Sequence, residues 1–232
     1  MNNWNGKTKA VTFSFDDAVT QDIRMIELMN KYDLKSTFNL NSERFGCRGI
    51  LKRNGLWISH YKVHAVDVPF IYEGHEVAAH TLTHPTLTEV EEDAEVIRQV
   101  EQDRLNLSEL VGYEVVGMAY PNRPGDARVE NLIRNHTGIQ YVRSTPVTYS
   151  FEPQENLYRF HPTLHFLEFD RMMELGQQFL ESRIDRPQLF YIWGHSYEMD
   201  YSPDGWMRLE EFFRLISRNP DVFYGTNKDV LL

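Results

Sequence analysis

Asp16 and Asp17 stand side by side after Lys9-Ala10-Val11-Thr12-Phe13-Ser14-Phe15, and His80 and His84 close the run His75-Glu76-Val77-Ala78-Ala79-His80-Thr81-Leu82-Thr83-His84. Two carboxylates and two imidazoles can hold a divalent metal and leave one acid over as a proton acceptor. The first segment alternates in polarity, and in a strand successive side chains point to opposite faces. Adjacent aspartates therefore reach one pocket only if the strand ends at Phe15 and the chain turns there. One carboxylate could then bind a metal while the other stays free as a base. The competing reading is a pair of loop acids, one of them capping a helix that starts near Thr20.

A spacing of four puts His80 and His84 on one side of a helical turn, but His60 with His64 and His161 with His165 share that spacing. Context separates the pairs. His60-Tyr61-Lys62-Val63-His64 reads as an extended, polar surface segment. Pro162 prevents a regular helix between His161 and His165, and His161 is the ring expected to line a pocket. His80 follows a short apolar stretch of buried-strand type, so it falls at a strand end. His195 does the same after Gln188-Leu189-Phe190-Tyr191-Ile192-Trp193-Gly194, although a histidine there can also be a hydrogen-bonded structural residue.

The elements that must position these groups alternate along the chain. Strands are predicted at 9–15, 35–40, 75–79, 114–120, 139–143, 157–161, 188–194 and 221–224, and helices at 20–32, 88–111, 126–136, 169–183 and 205–218. The helix from 88 carries a capping box, Thr88 with Glu91, and an apolar stripe of Val90, Ala94, Ile97, Val100, Leu105 and Leu107. Residues 42–74 break the rhythm and read as an inserted loop or hairpin over one end of the sheet. Strand–helix alternation of this order gives a parallel α/β sheet or barrel, whose sites gather at the C-terminal strand ends. Asp16, Asp17, His80, His84 and His195 all lie at such ends.

Composition bounds the rest. The chain has 232 residues, 41% of them apolar and 13% aromatic, enough for one substantial core, and no linker divides it, so 1–232 reads as a single domain. A formal charge of −10 argues against general binding of nucleic acid or anionic membrane. Cys47 is the only cysteine, which excludes internal disulfides and a thiolate metal cage. The polar start Met1–Lys7 lacks a signal-peptide core, and no apolar run approaches the ~18 residues of a membrane span. The expected location is cytoplasmic.

Phe13-Ser14-Phe15-Asp16-Asp17-Ala18 resembles the first motif of the polysaccharide deacetylases (carbohydrate esterase family 4, the NodB-like domain), usually Thr-Phe-Asp-Asp-Gly. His80-Thr81-Leu82-Thr83-His84 is similar to that family's His-Ser/Thr-x-x-His motif, and Ile192-Trp193-Gly194-His195 to its late Leu-x-His motif. The resemblance implies a distorted (β/α) barrel of about seven parallel strands, a divalent metal, usually Zn2+, and removal of acetyl groups from sugars. It also implies roles: Asp17, His80 and His84 as metal ligands, Asp16 as general base, His195 as general acid, and the Tyr120 backbone N–H as oxyanion donor. Tyr120, Pro121, Arg143, His161 and Trp193 are the expected substrate-side residues.

Two family motifs are altered. Ala119-Tyr120-Pro121-Asn122 stands where Arg-x-Pro-Tyr is usual, so the arginine that orients the base must come from elsewhere; Arg143, at a predicted strand end, is preferred to Arg123. The Asp-x-x-Asp-Trp motif is not recognisable in 143–155, leaving Glu198 or Asp200 to tune His195. Three functions follow: deacetylation of an N-acetylated sugar or small amide, hydrolysis of another C–N bond such as a cyclic imide or ureide, or carbohydrate binding without catalysis. Trp57, Tyr61, Tyr72, Tyr120, Trp193 and Tyr197 could stack on sugar rings. An intracellular small saccharide or precursor suits the sequence better than a cell-wall polymer.

Overall fold

Alternation along the strands sorts side chains into a barrel interior and a helix-covered exterior. The structure, a computed structural model, describes residues 4–183 and 185–232, so Met1–Asn3 of the polar start lie outside the described residues. The strands are β1 (Lys9–Asp16), β2 (Ser36–Leu40), β3 (Ile50–Arg53), β4 (Leu56–Ser59), β5 (Glu76–Ala79), β6 (Gly117–Ala119), β7 (Tyr141–Arg143), β8 (Leu164–His165), β9 (Gln188–Gly194) and β10 (Val222–Tyr224). The helices are α1 (Gln21–Lys31), α2 (Val68–Ile71), α3 (Asp93–Val111), α4 (Ala127–His136), α5 (Phe169–Glu181), α6 (Gly205–Ile216) and α7 (Asn227–Leu231). The main sheet is parallel, in the order β7-β6-β5-β2-β1-β9-β8, with β10 pairing the first residues of β1. Its two ends meet through Phe160–His165, which bridges Arg143 on one side and pairs β9 on the other. The result is the distorted α/β barrel expected from the resemblance.

Val11, Phe13 and Phe15 of β1 face outward into one apolar cluster with Phe38, Val77, Val142, Phe190 and the inner faces of the helices. Phe13, for example, meets Phe213 of α6 edge-on at 5.3 Å. Ala10, Thr12, Ser14 and Asp16 take the opposite parity and face inward. The barrel floor is polar but paired. Glu76 accepts from Thr37 Oγ1 at 2.6 Å and Tyr141 Oη at 2.8 Å, and Thr12 Oγ1 donates to Asn227 of α7 at 2.9 Å. Such pairing offsets the cost of burying these groups.

Several predicted elements differ. The strand expected at 157–161 is a 3-10 turn over Leu157–Arg159 followed by the single bridge at Phe160; Pro162 carries no N–H to extend a ladder. The capping box of Thr88 and Glu91 does not form, because Leu87–Glu89 is a separate 3-10 turn and α3 starts only at Asp93. Arg128 of α4 takes the Val90 and Glu91 carbonyls at 2.9 and 2.7 Å, which holds that stretch extended. The buried face of α3 includes Val96, Val100, Asp103 and Leu107 and leaves Leu105 exposed. Helices α2 and α7 were not expected, being too short for a periodic signal. The 42–74 insertion does contain a hairpin, β3–β4, antiparallel through Ile50–Ser59. Among the described residues, no helix is long and apolar enough to cross a membrane.

A Cβ on Gly117 of β6 would overlap the Tyr141 ring inside the barrel, and that ring is fully buried and committed to Glu76. Gly117→Ala should therefore destabilise the fold by about 1–3 kcal/mol through overpacking, read as a lower urea midpoint.

Candidate active site

Asp16 is the last residue of β1 and keeps the inward parity of Ser14, so the strand runs one residue further than its sequence suggests. The turn begins at Asp17 and Ala18, both left-handed, with φ of 88° and 53°. That turn swings the second carboxylate to the barrel mouth, where it meets the first from another direction. Neither aspartate caps α1, whose N-cap residue is Thr20. His80 and His195 each lie one residue beyond a strand, on the inward parity of Glu76 and Ala78 and of Tyr191 and Trp193.

His80 and His84 do not share a helical turn. The loop between them is irregular, with Thr81 and His84 at φ of 67° and 69°, and the imidazoles lie edge to face at 4.8 Å. Asn41 Nδ2 donates to the carbonyls of His80 and Thr81 at 2.5 and 2.9 Å, and Gln99 O accepts from Leu82 N–H at 3.0 Å. Asp103 fixes the loop's start by accepting the His80 N–H at 3.0 Å. His80 Nδ1 lies 2.8 Å from Ala119 O, and a carbonyl only accepts, so Nδ1 carries the proton and Nε2 offers a lone pair. Burial pulls His80 down to about 4 and lowers His84 as well, which keeps both rings neutral at neutral pH. Ligand atoms of Asp17, His80 and His84 all lie within 4.8 Å of one another. Two neutral imidazoles and a carboxylate are a fitting donor set for a divalent ion such as zinc.

Asp16 Oδ2 pairs with Arg143 Nη2, and Oδ1 accepts from Asn39 Nδ2 at 2.8 Å. Arg143 is fully buried, with its guanidinium 4.3 Å from the Trp193 ring centre. Burial favours the neutral form of Asp16, yet above all the Arg143 guanidinium holds its carboxyl below the usual range. Arg123 lies instead on the surface beside Glu89. His195 Nε2 is 3.9 Å from Asp16 Oδ2, and its Nδ1 is 3.2 Å from Glu198 Oε2. Burial lowers its pKa, but the Glu198 charge outweighs burial and raises it to about 9. Asp200 is spent elsewhere, on Trp206 and Gln21.

A cavity of about 280 Å³ is lined by Asp16, Asp17, His80, His84, Tyr120, Asn122, Thr145, Trp193, His195 and Tyr197. Of the expected substrate-side residues, Tyr120 and Trp193 line it, whereas Pro121, Arg143 and His161 do not. Arg143 sits beneath Asp16. His161 is tied by its backbone to the Gln154 side chain, and it is His165 that approaches the site, 3.2 Å from Glu198. The Tyr120 N–H is not free for an oxyanion, because it donates to Arg143 O at 3.0 Å in the sheet. Pro121 has no N–H, so the next along the chain is that of Asn122. Of the aromatic residues, Tyr72 and Tyr120 are buried with their hydroxyls bonded to Asp22 and Tyr158 O, and Trp57 and Tyr61 are exposed.

The insertion supplies two residues that the sequence reading left on the surface or unremarked. Lys62 Nζ donates to Asp17 O at 2.6 Å and lies 3.1 Å from Oδ1, and His60 Nε2 lies 3.4 Å from Oδ2. Burial favours a neutral Asp17, but His60 and Lys62 hold its carboxyl well below the usual range. The polar-surface reading of His60 fails because Ile58, His60 and Lys62 share one face by period-2 alternation, and Ile58 is packed against Val19 and Tyr197. That shared parity with a buried isoleucine was the available signal.

Residues 4–142 match the family model described as polysaccharide deacetylase. Among solved structures the chain is similar to a family 4 carbohydrate esterase from Streptomyces lividans in complex with acetate, at 12% identity, over 97% of this chain and 96% of that one, with a TM-score of 0.59. It is similar to the polysaccharide deacetylase Bc1974 from Bacillus cereus at 14% identity, over 94% and 91%, with a TM-score of 0.57. A third is BA3943, a CE4 family pseudoenzyme from Bacillus anthracis, at 14% identity over 97% and 66%, TM-score 0.56. At these identities the likeness is one of fold. No curated protein matches the chain in sequence.

The His195–Glu198 pair makes stability depend on pH in two limbs. Burial favours a neutral Glu198, but His195 and His165 hold it at about 2, below its ordinary 4.5. Its contribution is present above 4.5 and lost as pH falls toward 2. His195, raised from 6.5 to about 9, contributes fully below 6.5 and loses that contribution as pH rises through 9. Urea midpoints measured across pH should show Glu198→Gln losing most relative to the parent between 4.5 and 6.5, with the difference shrinking on both sides.

Proposed function

The chain belongs to the polysaccharide deacetylase family, and from that premise we propose that it is a metal-dependent hydrolase removing an acetyl group from an N-acetylated sugar or a related small amide. The observation that carries this reading is the meeting of Asp17, His80 and His84 within 4.8 Å in a cavity whose walls also hold Asp16 and His195. A divalent ion held by those three residues, zinc by the donor chemistry, would acidify water and polarise the acetyl carbonyl.

The chain's own residues do the rest. Asp16, kept ionised by Arg143, accepts the proton of the attacking water at Oδ2. His195, kept protonated by Glu198, faces the same cavity with Nε2 and delivers a proton to the leaving nitrogen. Asn122, which lines the cavity directly after Pro121, offers its backbone N–H to the developing oxyanion in place of Tyr120; a preorganised donor of this kind is worth about 3 kcal/mol. Trp193 and Tyr197 give apolar wall for the acetyl methyl and the sugar face. A cavity of about 280 Å³ favours a monosaccharide-sized unit over a large headgroup. The description of BA3943 as a pseudoenzyme keeps binding without turnover as the reading to exclude, but the residues for each catalytic role are present in this chain.

Metal analysis together with acetate release from N-acetyl sugars, small amides and cyclic imides tests the reading. Asp17→Ala and His80→Ala should lose stoichiometric metal, while Asp16→Asn keeps the metal and loses at least about 100-fold in turnover. Full metal content in both ligand variants would overturn the ligand assignment. Saturable glycan binding without acetate release would replace catalysis by binding.

A further inference from the structure

Glu198 Oε2 gathers three nitrogens. His195 contributes its backbone N at 3.0 Å and Nδ1 at 3.2 Å, and His165 contributes Nε2 at 3.2 Å. His165 Nδ1 accepts the Leu167 N–H at 3.3 Å, so the neutral ring carries its proton on Nε2, the nitrogen 3.2 Å from Glu198 Oε2. This decides between two uses of the cluster. His165, His195 and Glu198 are close enough to hold an ion, their ligand atoms lying within 4.8 Å of one another. Offering His165 Nε2 to a cation would move the proton to Nδ1, against the Leu167 N–H. The cluster is built to hold protons.

The geometry also shows why a residue from outside is needed. His195 and Glu198 lie three apart at the start of one 3-10 turn, Ser196–Tyr201, and the His195 backbone N–H alone leaves the carboxylate free to swing away from Nδ1. His165 arrives from β8, on a ring packed edge-on to Trp193 at 4.7 Å and stacked on Phe166 at 5.3 Å, and supplies the second fixed donor.

We propose that His165 is a positioning residue for His195: by donating Nε2–H to Glu198 it keeps that carboxylate on Nδ1 and so keeps His195 Nε2 aimed at Asp16 and the cavity. The proposal rests on the reading of His195 as the acid. The charged and titratable groups facing His195 are Asp16 and Asp17 at the end of β1, Tyr197 and Glu198 on its own turn, and His165 through Glu198. His165 thereby takes over, with Glu198, the work of the acidic motif that is not recognisable after Arg143.

The experiment compares His165→Phe, which keeps the packing on Trp193 and removes both nitrogens, with His165→Gln, which restores an N–H within reach of Glu198. NMR titration of the His195 imidazole should show its midpoint falling by about one pH unit in His165→Phe and recovering in His165→Gln. With di-N-acetylchitobiose, kcat should fall about tenfold in His165→Phe, with KM within about twofold, while hydrolysis of 4-nitrophenyl acetate, whose leaving group needs no proton, stays near the parent rate. An unchanged His195 midpoint in His165→Phe overturns the proposal whatever the rates show. His195→Ala separates the two ideas: equal losses on both substrates would sink the acid role, while the midpoint shift would still decide whether His165 positions the ring.

Discussion

A charge placed inside a narrow barrel has to be paired, and the pair of Asp16 with Arg143 is the constraint around which the upper barrel is arranged. Both side chains are buried, and removing one partner of such a pair typically costs about 3–5 kcal/mol because the other is left uncompensated. The pair joins β1 to β7, strands with three others between them in the sheet order. It can form only because the barrel curves β7 round to face β1. Asn39 from β2 takes the other carboxylate oxygen, and Trp193 from β9 covers the guanidinium. A carboxylate held by a buried guanidinium on one oxygen and a buried amide on the other cannot turn away, and its remaining face is directed at the cavity.

The second aspartate obeys a different rule. Asp17 is outside the ladder, in a left-handed conformation that few non-glycine residues adopt, and its place is held by the insertion. Segment Tyr61–Val63 pairs with the turn after β1, through Val63 N–H to Ala18 O and Thr20 N–H to Tyr61 O, both at 2.8 Å. Lys62 then sits on both the carbonyl and the carboxylate of Asp17. The adjacent acids therefore differ in what they can do: one is locked to a fixed guanidinium below, the other to a loop-borne ammonium at the rim, facing two neutral imidazoles.

Most of the barrel was legible because its strands are short, buried and separated by amphipathic helices. The boundaries of β9 agree with the sequence to the residue, and those of β1, β2 and β5 to within one. Failures fall where a partner distant in sequence overrides local preference. Arg128 stops α3 from starting at its apparent capping box, and Phe160–His165 is shaped by two sheet edges at once rather than by its own pattern. His60 and His165 follow the same logic: each belongs to a pair with helical spacing, and each meets a carboxylate brought in by another element.

The sequence by itself determined which residues reach the barrel mouth. Period-2 parity in β1, β5 and β9 puts Asp16, His80 and His195 on the inward face, and the turn after β1 leaves Asp17 beside them. Tertiary structure alone decided how those groups are tuned. Glu198 rather than Asp200 meets His195, Lys62 and His60 meet Asp17, and the N–H of Tyr120 is consumed by the sheet. Parity is a property of one strand and can be counted along it. Pairing depends on which strands the barrel brings face to face, and that is set by closure of the whole sheet.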